Sequence, residues 1–181
     1  MMKKLLIAIL LFWSSVAWGA SGDTLIVFVP QSSAPPAGGF ATLDTRNLHP
    51  VLDFDASSGE SIFFKAVMPQ HYAGGGVAVY VHYSMSTATS GDIDWDAAFE
   101  RVSDSIQDID SEGFAAVNST DTTTVPGTSG HVDVISITFT DGADMDSVTA
   151  GDGFRLKVFR DAANDSATGD SELWAVEIRE Q

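Results

Sequence analysis

Asp92-Ile93-Asp94-Trp95-Asp96-Ala97-Ala98-Phe99-Glu100 sets Ile93, Trp95, Ala97 and Phe99 at every second position and carboxylates at most of the positions between. A period of two belongs to a strand, whose successive side chains point to opposite faces. The stretch therefore predicts a β-strand with one face on a core and one charged, solvated face. Asp92, Asp94 and Asp96 share that second face, where like charges repel. Water, a cation or a basic partner would offset them.

The same period recurs outward from it. Toward the N-terminus, Val77, Val79, Val81 and Tyr83 alternate with Ala78, Tyr80, His82 and Ser84, and Ile62, Phe64, Ala66 and Met68 form a strand that stops at Pro69. Residues 50–54 read as a short extended piece. Residues 24–29 (Thr24-Leu-Ile-Val-Phe-Val29) are β-branched and aromatic and are stopped by Pro30. Toward the C-terminus, Phe154, Leu156 and Val158 make one strand, and Trp174, Val176 and Ile178 another. Val132 and Val134 continue out of phase as Ile135, Ile137 and Phe139, which predicts a β-bulge. Glycines punctuate these runs, including Gly74-Gly75-Gly76, Gly151 and Gly153. Short helical turns are expected within residues 104–116 and 143–148. Many short strands, Gly-rich turns and no long helical period predict an all-β fold: an antiparallel two-sheet β-sandwich, jelly-roll-like, of about eight strands. An immunoglobulin-type sandwich is the alternative, without its Cys…Trp…Cys spacing. Trp95 and Trp174 both sit on apolar strand phases and are expected in the core.

The chain has 181 residues, 9 basic and 25 acidic side chains, a net charge of −16 and no cysteine. No disulfide framework, thiolate zinc site or cysteine-held iron–sulfur cluster can form. Nucleic acid is excluded as a partner, since phosphate neutralisation needs clustered Lys and Arg. Residues 1–20 read as a signal peptide: Lys3 and Lys4, an apolar run from Leu5 to Trp13, then small residues through Ala20. The run is too short to span a bilayer, and no later stretch approaches that length. The mature protein is expected to be secreted or at the cell surface, or periplasmic, with no membrane span once the signal is cleaved. Loss of Lys3 and Lys4 takes its charge from −16 to −18. Residues 21–40 are expected to form an N-terminal strand and a Pro/Gly/Ser-rich linker, and residues 41–181 the β-sandwich domain.

No Gly-x-Ser-x-Gly elbow, phosphate loop or metal-spaced histidine pair is present, so no catalytic residue is assigned and no enzyme activity is expected. His71 and Tyr72 lie in the polar loop Pro69-Gln-His-Tyr-Ala-Gly-Gly-Gly76, and Tyr80 lies on the less apolar face of its strand. Exposed aromatics of this kind stack on sugar rings, so Tyr72, Tyr80 and His71 are the ligand-binding candidates. Two acidic clusters are the calcium candidates, because hard cations take oxygen ligands. Asp108, Asp110 and Glu112 precede Gly113, but the twelfth position of an EF-hand loop falls on Ser119, and a solvated acidic turn is the competing reading. Asp161, Asn164 and Asp165 form the second cluster. Beyond calcium, no cofactor is expected.

From Ala41 onward the chain resembles a module of bacteriophage virion proteins and uncharacterised bacterial secreted proteins. The resemblance rests on Ala41-Thr-Leu-Asp-Thr-Arg-Asn-Leu-His-Pro-Val-Leu-Asp-Phe54, Met68-Pro-Gln-His-Tyr-Ala-Gly-Gly-Gly76, Ala88-Thr-Ser-Gly-Asp-Ile-Asp-Trp95, Phe139-Thr-Asp-Gly-Ala-Asp-Met-Asp146, Phe154-Arg-Leu-Lys-Val-Phe-Arg-Asp161 and Glu177-Ile-Arg-Glu180. It implies a jelly-roll-like sandwich used as a structural or surface-binding part, and no catalytic residues. The signal peptide departs from the phage setting and favours a bacterial secreted or surface protein. Two functions are expected from these readings. One is a noncatalytic binder of a glycan or other cell-surface ligand. The other is a structural subunit of an extracellular or virion-like assembly, a homo-oligomer or filament joined through residues 24–29 (Thr24 to Val29) on a neighbour's sheet edge.

Overall fold

The computed structural model describes residues 20–120 and 122–181. The expected signal peptide, apart from Ala20, lies outside the described residues. Among those residues the chain forms thirteen strands: β1 (Thr24–Phe28), β2 (Ser33–Ala34), β3 (Thr42–Arg46), β4 (His49–Phe54), β5 (Glu60–Val67), β6 (Val77–Met85), β7 (Asp92–Ile93), β8 (Trp95–Val102), β9 (Asn118–Ser119), β10 (Thr123–Thr124), β11 (Val132–Phe139), β12 (Gly153–Arg160) and β13 (Ser171–Glu180). One sheet runs β11-β6-β13-β4-β3, with β1 also on β13. The other runs β2-β5-β12-β8-β9, and β7 pairs β10 separately. Every pairing between these strands is antiparallel.

The two inner faces close on one buried core, as period-two strands require. Four ring pairs join one sheet to the other: Phe28 with Phe64, Phe54 with Trp95 and Phe99 with Phe139, each at 4.9 Å, and Tyr83 with Trp95 at 5.6 Å. The expected class, an all-β antiparallel two-sheet sandwich of jelly-roll type, is the class observed. Extra strands appear because short edge pieces such as β2, β7, β9 and β10 carry two residues each. The helical expectation shrinks to a 3-10 turn at Ala143–Met145, while residues 104–116 form turns without a helix.

Three readings need correction. β11 pairs β6 without a break, from Val132 opposite Ser84 to Phe139 opposite Val77, so it has no bulge. Val132 and Val134 stay in phase on the outer face, 51% and 45% exposed. The charged face of β8 is not solvated: Asp94, Asp96 and Glu100 are 6%, 7% and 1% exposed. The β8–β9 connection folds back along this strand, with the Ala115 amide donating to the Phe99 carbonyl at 2.8 Å. Arg155 reaches Glu100, and Asp165 accepts the Asp94 amide at 2.6 Å. Finally, Thr24–Phe28 pairs with β13 of its own chain, Ile26 opposite Ile178 and Phe28 opposite Val176.

Candidate functional site

A break in register falls within β13, where it pairs β6. Against β6, Leu173 lies opposite Tyr83 and Ala175 opposite His82, so Trp174 is the extra residue of a bulge. A bulge leaves one residue unpaired and re-aims its side chain. Trp174 therefore turns out of the core and is 42% exposed, where the strand phase alone predicts burial. On its other edge β13 pairs β4 over residues 171–173 and β1 from Val176 onward. The bulge thus sits where one neighbour strand gives way to the next.

The freed end of the β3–β4 hairpin lies against the outer face of the sheet beside this break. Its turn places Asn47 and Leu48 at φ 45° and 67°, the left-handed pair that matches strand twist in a two-residue hairpin. Arg46 pairs with Glu172, donates to the Met85 carbonyl at 3.0 Å, and so spans from β3 to the end of β6. Ser84 donates to the same Glu172 carboxylate at 3.2 Å. Gly130 is required here: at φ +77° a Cβ would lie 2.8 Å from the Arg46 guanidinium.

Hairpin, bulge and the Val29–Gln31 segment enclose a cleft of about 560 Å³. Trp174, Val132 and Pro50 give it apolar walls, and Asn47, His49 and Gln31 line it with hydrogen-bonding groups. The indole is steadied by His82, edge-on at 5.5 Å, and His82 Nε2 lies 3.6 Å from the Glu177 carboxylate. Glu177 is held down at about 2 by Arg179 first and by the Thr24 hydroxyl, and also by His82. On β4, Asp53 is pushed up to about 6 by burial and by Asp170, Glu172, Asp44 and Glu60. Among the described residues no carboxylate lines the cleft itself, and its one arginine is already paired.

The residues singled out from sequence lie elsewhere. Tyr72 is 4% exposed, in the core, against the expectation of a ligand-facing ring. Its hydroxyl accepts the Gly76 amide at 3.2 Å and donates to Met145 Sδ at 3.6 Å, which closes its loop over the end of the sandwich. His71 in that loop is exposed, and Tyr80 is half-buried under the Arg179 guanidinium at 4.2 Å. The fold does not bring the three together. Asp108, Asp110 and Glu112 are exposed, with the Asp108 carboxylate accepting the Asp110 amide at 3.0 Å. Asp165 is engaged by buried Arg160 at 2.5 Å, while Asn164 donates to Asp161 at 2.8 Å. Among the described residues no three His, Asp or Glu side chains are grouped as cation ligands. Sequence reading missed Trp174 because the bulge depends on pairing with β6; the run of outward valines at Val132 and Val134 was the one available signal of an apolar outer surface.

No family model matches the chain, and no curated protein matches it. Among solved structures, the CBM22-1 xylan-binding domain from Paenibacillus barcinonensis Xyn10C is similar at 14% identity, over 88% of this chain and 95% of that one, with a TM-score of 0.47. The CBM22-1–GH10 modules of Clostridium thermocellum endo-1,4-β-D-xylanase 10B, complexed with xylohexaose, are 11% identical. That likeness covers 88% of this chain and 29% of that one, with a TM-score of 0.47. A chain of infectious bursal disease virus Gx strain is 11% identical over 96% of this chain and 36% of that one, with a TM-score of 0.37.

Proposed function

We propose that the protein is a noncatalytic, exported binder of neutral glycans and that the cleft beside Trp174 is the site. The observation that carries this reading is the bulge that presents an indole in a cleft lined by uncharged hydrogen-bonding groups. An aromatic platform packs the apolar face of a sugar ring, and amide and imidazole groups beside it meet the hydroxyls. Arg46 is neutralised by Glu172, no other described Lys or Arg lines the cleft, and the chain as a whole carries a net charge of −16. The field therefore opposes uronic or sulfated sugars and leaves neutral ones. Export rests on the signal-peptide reading of residues 1–20; no helix among the described residues is long and apolar enough to cross a membrane.

Titration with neutral and acidic oligosaccharides, followed by tryptophan fluorescence and calorimetry, tests the reading. Neutral chains should bind saturably, and Trp174→Ala should weaken them at least about tenfold, as loss of a central aromatic anchor does. Fold stability should fall by no more than about 1–2 kcal/mol, since the ring is 42% exposed and packs edge-on against His82. An absence of saturable binding at millimolar sugar, or a Trp174→Ala protein that binds unchanged, overturns it.

A further inference from the structure

We propose that the outer face of the β5–β12–β8 sheet is self-complementary and docks a second copy of this chain. The distribution of cations points there. Arg46, Arg101, Arg155, Arg160 and Arg179 each pair with a carboxylate. Among the described Lys and Arg side chains, Lys65 and Lys157 alone have no carboxylate within ion-pair distance, in a chain of net charge −16, and the near-buried Asp96 lies in the vicinity of Lys157. Both stand on this one face. Lys157 is opposite Phe63 and has its ammonium 4.5 Å from the Phe159 ring; Lys65 is opposite Arg155. Arg155 is already engaged by Glu100, so the charge left on this pair for an incoming carboxylate is that of Lys65. Val67, two positions from Lys65 on the same face, is 60% exposed.

The complement lies on the same side of the sandwich. The β8–β9 connection rests on this face through Phe114, 5.2 Å from Phe63 and 5.0 Å from the Arg155 guanidinium. Just before it come the exposed carboxylates of Asp108, Asp110 and Glu112, with Ile106 and Ile109 70% and 73% exposed between and beside them. The face is thus basic with apolar neighbours, and the connection that leads onto it is acidic with apolar neighbours. A two-fold axis that sets the face of one copy against the connection of the other matches the two charges twice, as an isologous interface requires. At physiological salt the Debye length is about 8 Å, so the general repulsion of two acidic molecules is largely screened while contacting pairs are screened less. The face is the reverse of the one that bears the cleft, so a dimer keeps both clefts open.

Sedimentation velocity of the full protein, from micromolar to millimolar concentration at physiological salt, reads the outcome. Wild type should dimerise. Lys65→Glu/Lys157→Glu and Asp108→Lys/Asp110→Lys should each be monomeric, and an equimolar mixture of the two should recover a heterodimer. That recovery also demonstrates that both variants fold. Wild type monomeric throughout, either variant dimerising like wild type, or a mixture that stays monomeric overturns the proposal. So does capture of an acidic oligosaccharide at Lys65 and Lys157 without dimerisation. The cleft titration is independent: failure of dimerisation leaves glycan binding intact, and the reverse.

Discussion

Single residues decide where this sandwich is rigid and where it is open. Gly76 sits at φ +101°, and a Cβ there would fall 2.3 Å from the Phe139 carbonyl oxygen. Its amide also donates to Tyr72. Gly76→Ala is expected to lower stability by about 2 kcal/mol or more, from backbone strain plus the clash, and thermal unfolding reads it directly. Gly74 and Gly75 have positive φ as well but open space at the Cβ position, so alanine there should cost less. Tyr72 shows why its role was misread from sequence: the polar loop around it suggests exposure, whereas its ring is the plug that the loop folds over.

At the scale of elements, alternation along β6, β8 and β12 located the core, because inward positions are read correctly whenever partners are regular. Val79, Val81, Leu156, Val158, Ala97 and Phe99 are all fully buried as the period predicts. What alternation cannot contain is the covering of an outer face or a slip against a neighbour. The charges of β8 are buried by the connection that follows it and by groups of β12 and its turn, and the outward turn of Trp174 needs β6 beside it; neither exists in the local pattern. β3 escaped the pattern for the same reason, with Leu43 60% exposed and no apolar face. The connection between β12 and β13 depends on one long-range clamp. Arg160 is fully buried, pairs with Asp165, and donates to the carbonyls of Gly169 at 3.0 Å, Ala167 at 3.3 Å and Phe54 at 3.3 Å. Arg160→Met strands the Asp165 charge and three carbonyls, and should cost about 3–5 kcal/mol. Chemical denaturation would measure it; a change below about 1 kcal/mol would mean that Asp165 finds water instead.

Over the whole molecule, the many carboxylates give stability a definite dependence on acidity. Asp53 and Asp96 are both pushed up to about 6, burial being the larger cause and neighbouring carboxylates the next. One oxygen of each lacks a hydrogen-bond partner among the described residues. Their native state holds protons more tightly than the unfolded chain, so their contribution is fully present below the unfolded value of 3.8 and is lost as pH rises through about 6. Glu177, held at about 2, works the other way: its contribution is present above 4.5 and lost as pH falls toward 2. The melting temperature should therefore rise on acidification from neutrality, peak between about pH 4 and 5, and fall beyond. Asp53→Asn/Asp96→Asn should flatten the neutral limb. A melting temperature that drops steadily from pH 7 to 5 would contradict the assignment.

β13 pairs with β6, β4 and β1, and it comes after all of them in the sequence. A ribosome delivers residues in that same order. Until the last of these strands has emerged, the β6–β11 pair and the β3–β4 hairpin remain separate pieces with open edges, and β1 has no strand to lie against. The nascent polypeptide thus cannot close this sheet until residues 171–180 have emerged.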